Sequence, residues 1–191
     1  TRLKASDNYP KRYQTLKKYM KNIKLLIVIT SLSLYSCSLF KEKGKETNSD
    51  PNKSMYPNAI GFVNDFENIF TSKEKSSLDS LVTNFEKATT VEIAIVTLDT
   101  NYTVKKQFDE YTLKLANHWG VGKKDKNNGI LIGISKSLRK IRIQNGYGIE
   151  TVLSDSATKV IIDSTFIPQF KKGNFYKGTY NGTLKLMSAV K

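Results

Sequence analysis

Apolar positions fall in two rhythms along the later two-thirds of the chain. Leu78, Leu81, Val82 and Phe85 recur at three- and four-residue spacing and predict a helix over residues 72–88. Thr71-Ser72-Lys73-Glu74 starts it as a capping box, in which hydroxyl and carboxylate each take a free backbone N–H. Val104, Phe108, Tyr111 and Leu115 predict a second helix ending near Trp119-Gly120. Ser154 or Asp155 can cap a third through Val160, Ile161 and Ile162. Tyr176, Tyr180, Leu184 and Met187 predict a last helix. Between them lie unbroken apolar runs, Val91 to Leu98 and Ile130 to Ile134, which read as buried strands. Lys140-Ile141-Arg142-Ile143-Gln144 alternates, as a half-exposed strand does. The short turn at 135–138 makes the last two strands a hairpin. Gly146-Tyr147-Gly148 reads as a tight loop, and Phe166 to Lys172 as irregular around Pro168. Helices precede and follow the strands, so the expected fold class is α/β: a three-layer α/β/α sandwich around a small mixed β-sheet.

The first third has another pattern. Met20 is followed by Lys21 and Lys24, then by Leu25-Leu26-Ile27-Val28-Ile29 and on to Leu34-Tyr35-Ser36-Cys37. A basic start, a short apolar core and a small residue before a cysteine form a processing signal. The core of about 12 residues is too short for a bilayer, which needs about 20. The end resembles a lipobox, in which the cysteine is acylated and becomes the first residue. Cys37 is the sole cysteine, so it has no internal disulfide partner. Residues 38–57 are polar and read as a flexible tether. The expected organisation is therefore an upstream extension (1–19), a lipoprotein signal peptide (20–36), a tether with lipidated Cys37 (37–57) and one domain (58–191). Ser38 after the cysteine favours the outer membrane, with the domain facing the periplasm.

The formal charge of +14 suggests nucleic acid at first. Eight of the 31 basic residues lie in residues 1–36, against Asp7 alone. The domain from Pro57 keeps 19 basic and 13 acidic residues, without an Arg cluster or nucleic-acid module. No nucleic-acid partner is expected; a basic surface near anionic lipid is the simpler reading.

Four groups of residues then fall in register. Val63-Asn64-Asp65 precedes the first helix. Trp119-Gly120-Val121-Gly122-Lys123 leads to Asn127-Asn128-Gly129. Arg139 to Ile143 runs on to Gly146-Tyr147-Gly148-Ile149-Glu150 and Leu153-Ser154-Asp155. Pro168-Gln169-Phe170 is followed by Gly173-Asn174-Phe175 and Gly178. In this order and spacing the chain resembles the TPM domain family over roughly 130 residues. The resemblance implies an α/β/α fold outside the cytoplasm. Bacterial members are often secreted or membrane-tethered. Plant relatives act in photosystem II maintenance and as acid phosphatases, some members bind calcium, and an animal relative modulates a receptor channel. Fold is implied far better than function. Many members carry Asp where Asn127 and Asn174 stand here, which removes two carboxylates.

Candidate metal ligands are Asp65, Glu150 and Asp155, with Asn64 and Asn127 as neutral oxygens. Calcium takes six to eight such oxygens, so Ca2+ is the candidate cofactor if the loops converge. The competing role is structural: Asp155 starting a helix, Asp65 tying down its loop. Arg139, Arg142 and Lys123, with Lys124, are the candidate anion or phosphate contacts. No Cys-x5-Arg loop or phosphate-binding P-loop occurs. A hydrolytic triad would have to use His118, which reads better as a surface or capping residue. The leading expectation is a lipid-anchored binding or assembly module for a membrane-protein complex. The alternative is a divalent-metal-dependent phosphatase.

Overall fold

A computed structural model describes residues 56–191. Cys37, the signal segment and the tether up to Met55 lie outside the described residues. The elements are β1 (Val63–Asp65), α1 (Ser72–Thr89), β2 (Glu92–Thr97), α2 (Phe108–Trp119), β3 (Gly129–Ser135), β4 (Lys140–Asn145), α3 (Tyr147–Glu150), α4 (Asp155–Ile161), a π turn (Ile162–Phe166), α5 (Ile167–Lys171) and α6 (Phe175–Ala189).

The capping box forms as its residues require: the Glu74 amide donates to Thr71 Oγ1 and the Thr71 amide to Glu74 Oε2. At the other end Thr90 turns left-handed, φ 65°, and closes α1. Four strands form one sheet in the order β1-β2-β3-β4. The first three are parallel, with Val63 beside Ile95 and Ile93 beside Ile130. β3 and β4 are antiparallel, with Ile132 opposite Ile143. The sheet is mixed, as the hairpin reading expects.

Alternation along β2 and β3 sorts the core into two layers. Ile93, Ile95, Ile130, Ile132 and Ile134 meet Leu78, Val82 and Phe85 of α1, with Phe166 and Leu186. Ala94, Val96 and Leu131 meet Phe108, Leu115 and Ala116 of α2 on the opposite face. The result is the three-layer α/β/α sandwich.

Each parallel crossover, through α1 and then α2, steps the same way across the sheet. The two helices lie on opposite faces, so the crossovers have opposite hands. One therefore takes the left-handed sense that parallel βαβ units rarely adopt. Connections that leave adjacent strand ends toward opposite faces also leave a crevice between those ends.

Three local expectations are corrected. Gly146-Tyr147-Gly148 opens the short helix α3, with Gly146 as its N-cap, instead of a bare loop. Residues 166–172 are mostly helical: Pro168 sits in the first turn of α5, where its missing N–H costs nothing. The π turn just before it, with the Ile167 amide bonded to the Ile162 carbonyl, widens the helix ahead of the proline ring. The buried stripe of α6 is Thr179, Thr183, Leu186 and Met187, while Leu184 is exposed.

Candidate functional site

The crevice between the carboxyl ends of β1 and β2 is where an open α/β sheet usually takes a ligand. Here the chain fills it. Asp65 and Thr97 are register partners there. The Thr97 hydroxyl donates to Asp65 Oδ1 at 2.5 Å, and the amides of Ile69 and Phe70 donate to the same carboxylate at 3.1 and 2.9 Å. The Glu67 amide donates to Thr97 Oγ1 at 2.9 Å. The Glu67 carboxylate then crosses to β3, accepting the amides of Lys136 and Ser137 at 2.7 Å each. Asn64 is also engaged: it accepts the Ile60 amide and donates to the Gly61 carbonyl, both at 2.7 Å. Residues 65–70 thus form a plug stitched to three strand ends.

Asn127 and Glu150 lie at the other end of the sheet. The Gly148 amide donates to the Asn127 carbonyl at 3.0 Å, which docks α3 onto the loop before β3. Backbone meets backbone so closely that a Cβ on Gly148 would stand 2.1 Å from the Lys126 carbonyl oxygen. Asn128 holds the loop from within, accepting the Lys123 amide at 2.9 Å and donating to the Thr90 carbonyl at 2.7 Å. Lys123 reaches Glu86 at 2.9 Å, and that hydrogen bond holds its ammonium charged beyond the ordinary lysine range.

The five candidate calcium ligands therefore do not share a site. Asp65 is level with Thr97, and the Asn127 loop adjoins Glu92 and Gly129, five residues earlier along β2. At about 3.3 Å per residue that is roughly 17 Å. Oxygens on one calcium lie about 2.4 Å from the ion, so within about 5 Å of one another. Asp65 and Asn64 are also taken up by protein donors. Among the described residues no three of His, Cys, Asp and Glu gather as a metal group would. The residues do not fit the single ion that the resemblance implies.

Arg139, Arg142 and Asp155 do come together, along the outer edge of β4. A groove of about 550 Å³ runs between Arg139–Ile143 and the helical segment carrying Asp155, Lys159, Ile162, Asp163 and Ile167. A second hollow of about 580 Å³ shares Arg139, Lys140, Ile141 and Ile167 and continues to Lys136, Lys171 and Phe175. Two lysines are neutralised in place: Lys140 by Asp109 at 3.1 Å, Lys159 by Asp163 one turn on. Arg139 stands at the turn into β4 with φ 51°, and Arg142 Nε is buried without an acceptor among the described residues. Ser154 caps α4 by accepting the Ala157 amide, which leaves Asp155 in its first turn. Lys123 is at the far end, away from this groove.

The TPM domain family model matches residues 63–189, from the first residue of β1 to the last of α6. The chain belongs to the TPM domain family. Its TPM domain is similar to the solution structure of the N-terminal domain of a Porphyromonas gingivalis protein. The two are 30% identical with a TM-score of 0.61, over 67% of this chain and 80% of that one. The N-terminal domain of a Corynebacterium glutamicum protein shares the fold at 13% identity, with a TM-score of 0.54 over 69% of this chain and 81% of that one. No curated protein matches the chain.

Sequence reading missed several working residues of this TPM domain. Glu67 clamps the β3–β4 turn across 69 and 70 residues of chain, which no local pattern signals. Gln144 donates to the Asp109 carbonyl and the Thr112 hydroxyl, binding α2 to β4. Asn145 donates to Thr158 and seats α4 beside the groove. Both amides sit where strand alternation gives way to buried polar residues, a signal that could have marked them. His118 lies 5.3 Å from the Tyr56 ring, and the Trp119 indole donates to the Pro57 carbonyl at 2.7 Å. Neither faces the groove.

Proposed function

We propose that this protein is a lipid-anchored extracytoplasmic binding module, held at the outer membrane through Cys37 and offering its TPM domain to a membrane-associated protein complex. The anchor reading is supported by the basic start, apolar core and Leu34-Tyr35-Ser36-Cys37 ending. The binding reading is carried by one observation: a groove lined by Arg139 and Arg142 runs along the edge of β4, which no other strand among the described residues covers. The test of the anchor is metabolic labelling with a palmitate analogue. Label should enter the wild type and be absent from Cys37→Ala, with the protein shifting from the membrane to the soluble fraction. Equal labelling of both sinks the anchor.

A second reading, phosphoester hydrolysis, is favoured by Arg139 and Arg142 sharing the groove with Asp155. Guanidinium groups match phosphoryl oxygens, and a carboxylate can position water. Turnover of para-nitrophenyl phosphate that vanishes in both Arg142→Ala and Asp155→Asn would support it. Turnover that is absent from the wild type, or unchanged from the wild type in either variant, would reject it.

A further inference from the structure

We propose that the outer edge of β4 receives an extended peptide of alternating acidic and apolar residues, which joins the sheet as a fifth strand. The proposal rests on the binding-module reading and names the ligand class of that groove.

The backbone phase of β4 is set by one bond. The Gly146 amide donates to the Gly129 carbonyl at 2.8 Å, and Asn145 is opposite Ile130. Antiparallel pairs alternate between bonded and non-bonded, so Lys140, Arg142 and Gln144 spend their backbone groups on β3. Ile141 and Ile143 then turn N–H and C=O away from the sheet. Among the described residues these groups have no partner, and both isoleucines line the groove. Ile141 is half-buried and offers an incoming strand two main-chain hydrogen bonds, the geometry of strand addition, whereas Ile143, 4% exposed, is covered.

Side chains on paired strands share faces. Residues of the peptide opposite Ile141 and Ile143 fall on the side of Ile162 and Ile167, an apolar floor. Those opposite Lys140 and Arg142 fall on the other face. Lys140 and Lys159 are paired in place, which among the described residues leaves Lys136, Arg139, Arg142 and Lys171 against Asp155 as the one unpaired acid of the two hollows. An occupant with carboxylates is drawn in. A second copy of this edge brings the same cations and is repelled.

The test titrates the full chain with a fluorescent peptide of alternating Glu and Val at low salt, read by anisotropy. Saturable binding is expected, weakened about fivefold or more in Arg142→Glu, as loss of a charged contact of about 1 kcal/mol requires. Two further peptides carry backbone N-methyl groups on every Val or on every Glu. A strand bonds its neighbour through alternate residues, so one series should lose about tenfold or more while the other binds as before. Ile141→Pro, which removes an outward N–H and leaves the β3 ladder intact, should weaken binding with an unchanged far-UV spectrum. Equal binding by both N-methyl series would overturn the proposal in favour of charge attraction alone. Equal binding of a Lys-Val peptide, or no binding at all, would overturn it too. Loss of palmitate labelling with peptide binding intact would sink only the anchor.

Discussion

The Asp65 carboxylate is tied to the Thr97 hydroxyl at 2.5 Å, across the crevice between β1 and β2. With two amide donors besides, it is the centre of the plug on the carboxyl ends of the strands. Asp65→Asn removes the charge and turns one acceptor into a donor facing a donor. The expected loss is about 2–3 kcal/mol of unfolding free energy, read from urea titration. Thr97→Val should lose about 1–2 kcal/mol, because the Glu67 amide then also goes unanswered. A variant of Asp65 with wild-type stability would leave the carboxylate free for some other task.

Asn128 makes the same kind of argument at the other end. Its amide joins the Lys123 amide to the Thr90 carbonyl, and so fastens the loop before β3 to the end of α1. Asn128→Ala should lose about 1–3 kcal/mol. Asn128→Asp should be no better, since a carboxylate cannot donate to Thr90. Amide hydrogen exchange at Lys123 should speed up in Asn128→Ala and less in Asn128→Asp, whose carboxylate still accepts that amide.

Gly182 decides the sign of a common substitution. Glycine to alanine inside a helix usually stabilises by about 0.5–1 kcal/mol. On α6 a Cβ at residue 182 would lie 2.1 Å from the ring of Phe166, which is fully buried. Overpacking of that size costs about 1–3 kcal/mol, so Gly182→Ala should lower the melting temperature. Adding Phe166→Leu should recover part of the loss; no recovery would place the strain elsewhere.

Tyr111 predicts an alkaline limit. Burial, then its neighbours Tyr56 and Tyr102, push its phenol from the ordinary 10.0 up to about 12. Between these values the unfolded chain has lost the proton and the folded chain keeps it. Folded protein then binds more protons than unfolded, so stability falls as pH rises from about 10 and levels off above about 12. Unfolding curves taken from about pH 9 to 11 should show this slope in the wild type and a shallower one in Tyr111→Phe. The same slope in both would assign the effect to other groups.

Much of the architecture is legible because periodicity and burial agree. Leu78, Val82 and Phe85 face the core as their spacing requires. β2 and β3 are buried on both faces, hence their unbroken apolar runs. Reading fails where small or polar residues are buried. The stripe of α6 runs through Thr179, Gly182 and Thr183, which a count of apolar residues passes over in favour of Tyr176 and Leu184. Proline and glycine misled at residues 146–148 and 166–172, where a helix start and a close backbone approach wanted them. For the site, the acids were legible as chemistry and illegible as geometry. Asp65 ends a strand that runs one way, and Glu150 follows β4, which runs the other. Acids that each follow a strand consequently land at opposite ends of the sheet.

The bond from Trp119 to the Pro57 carbonyl also has a mechanical reading. With the Tyr56 ring against Tyr111 and His118, it fastens the chain ahead of β1 to α2, so residues 56–57 are held to that helix. Trp119 is the only tryptophan in the chain. Its fluorescence therefore reports directly on the bond that ties Pro57 to the end of α2.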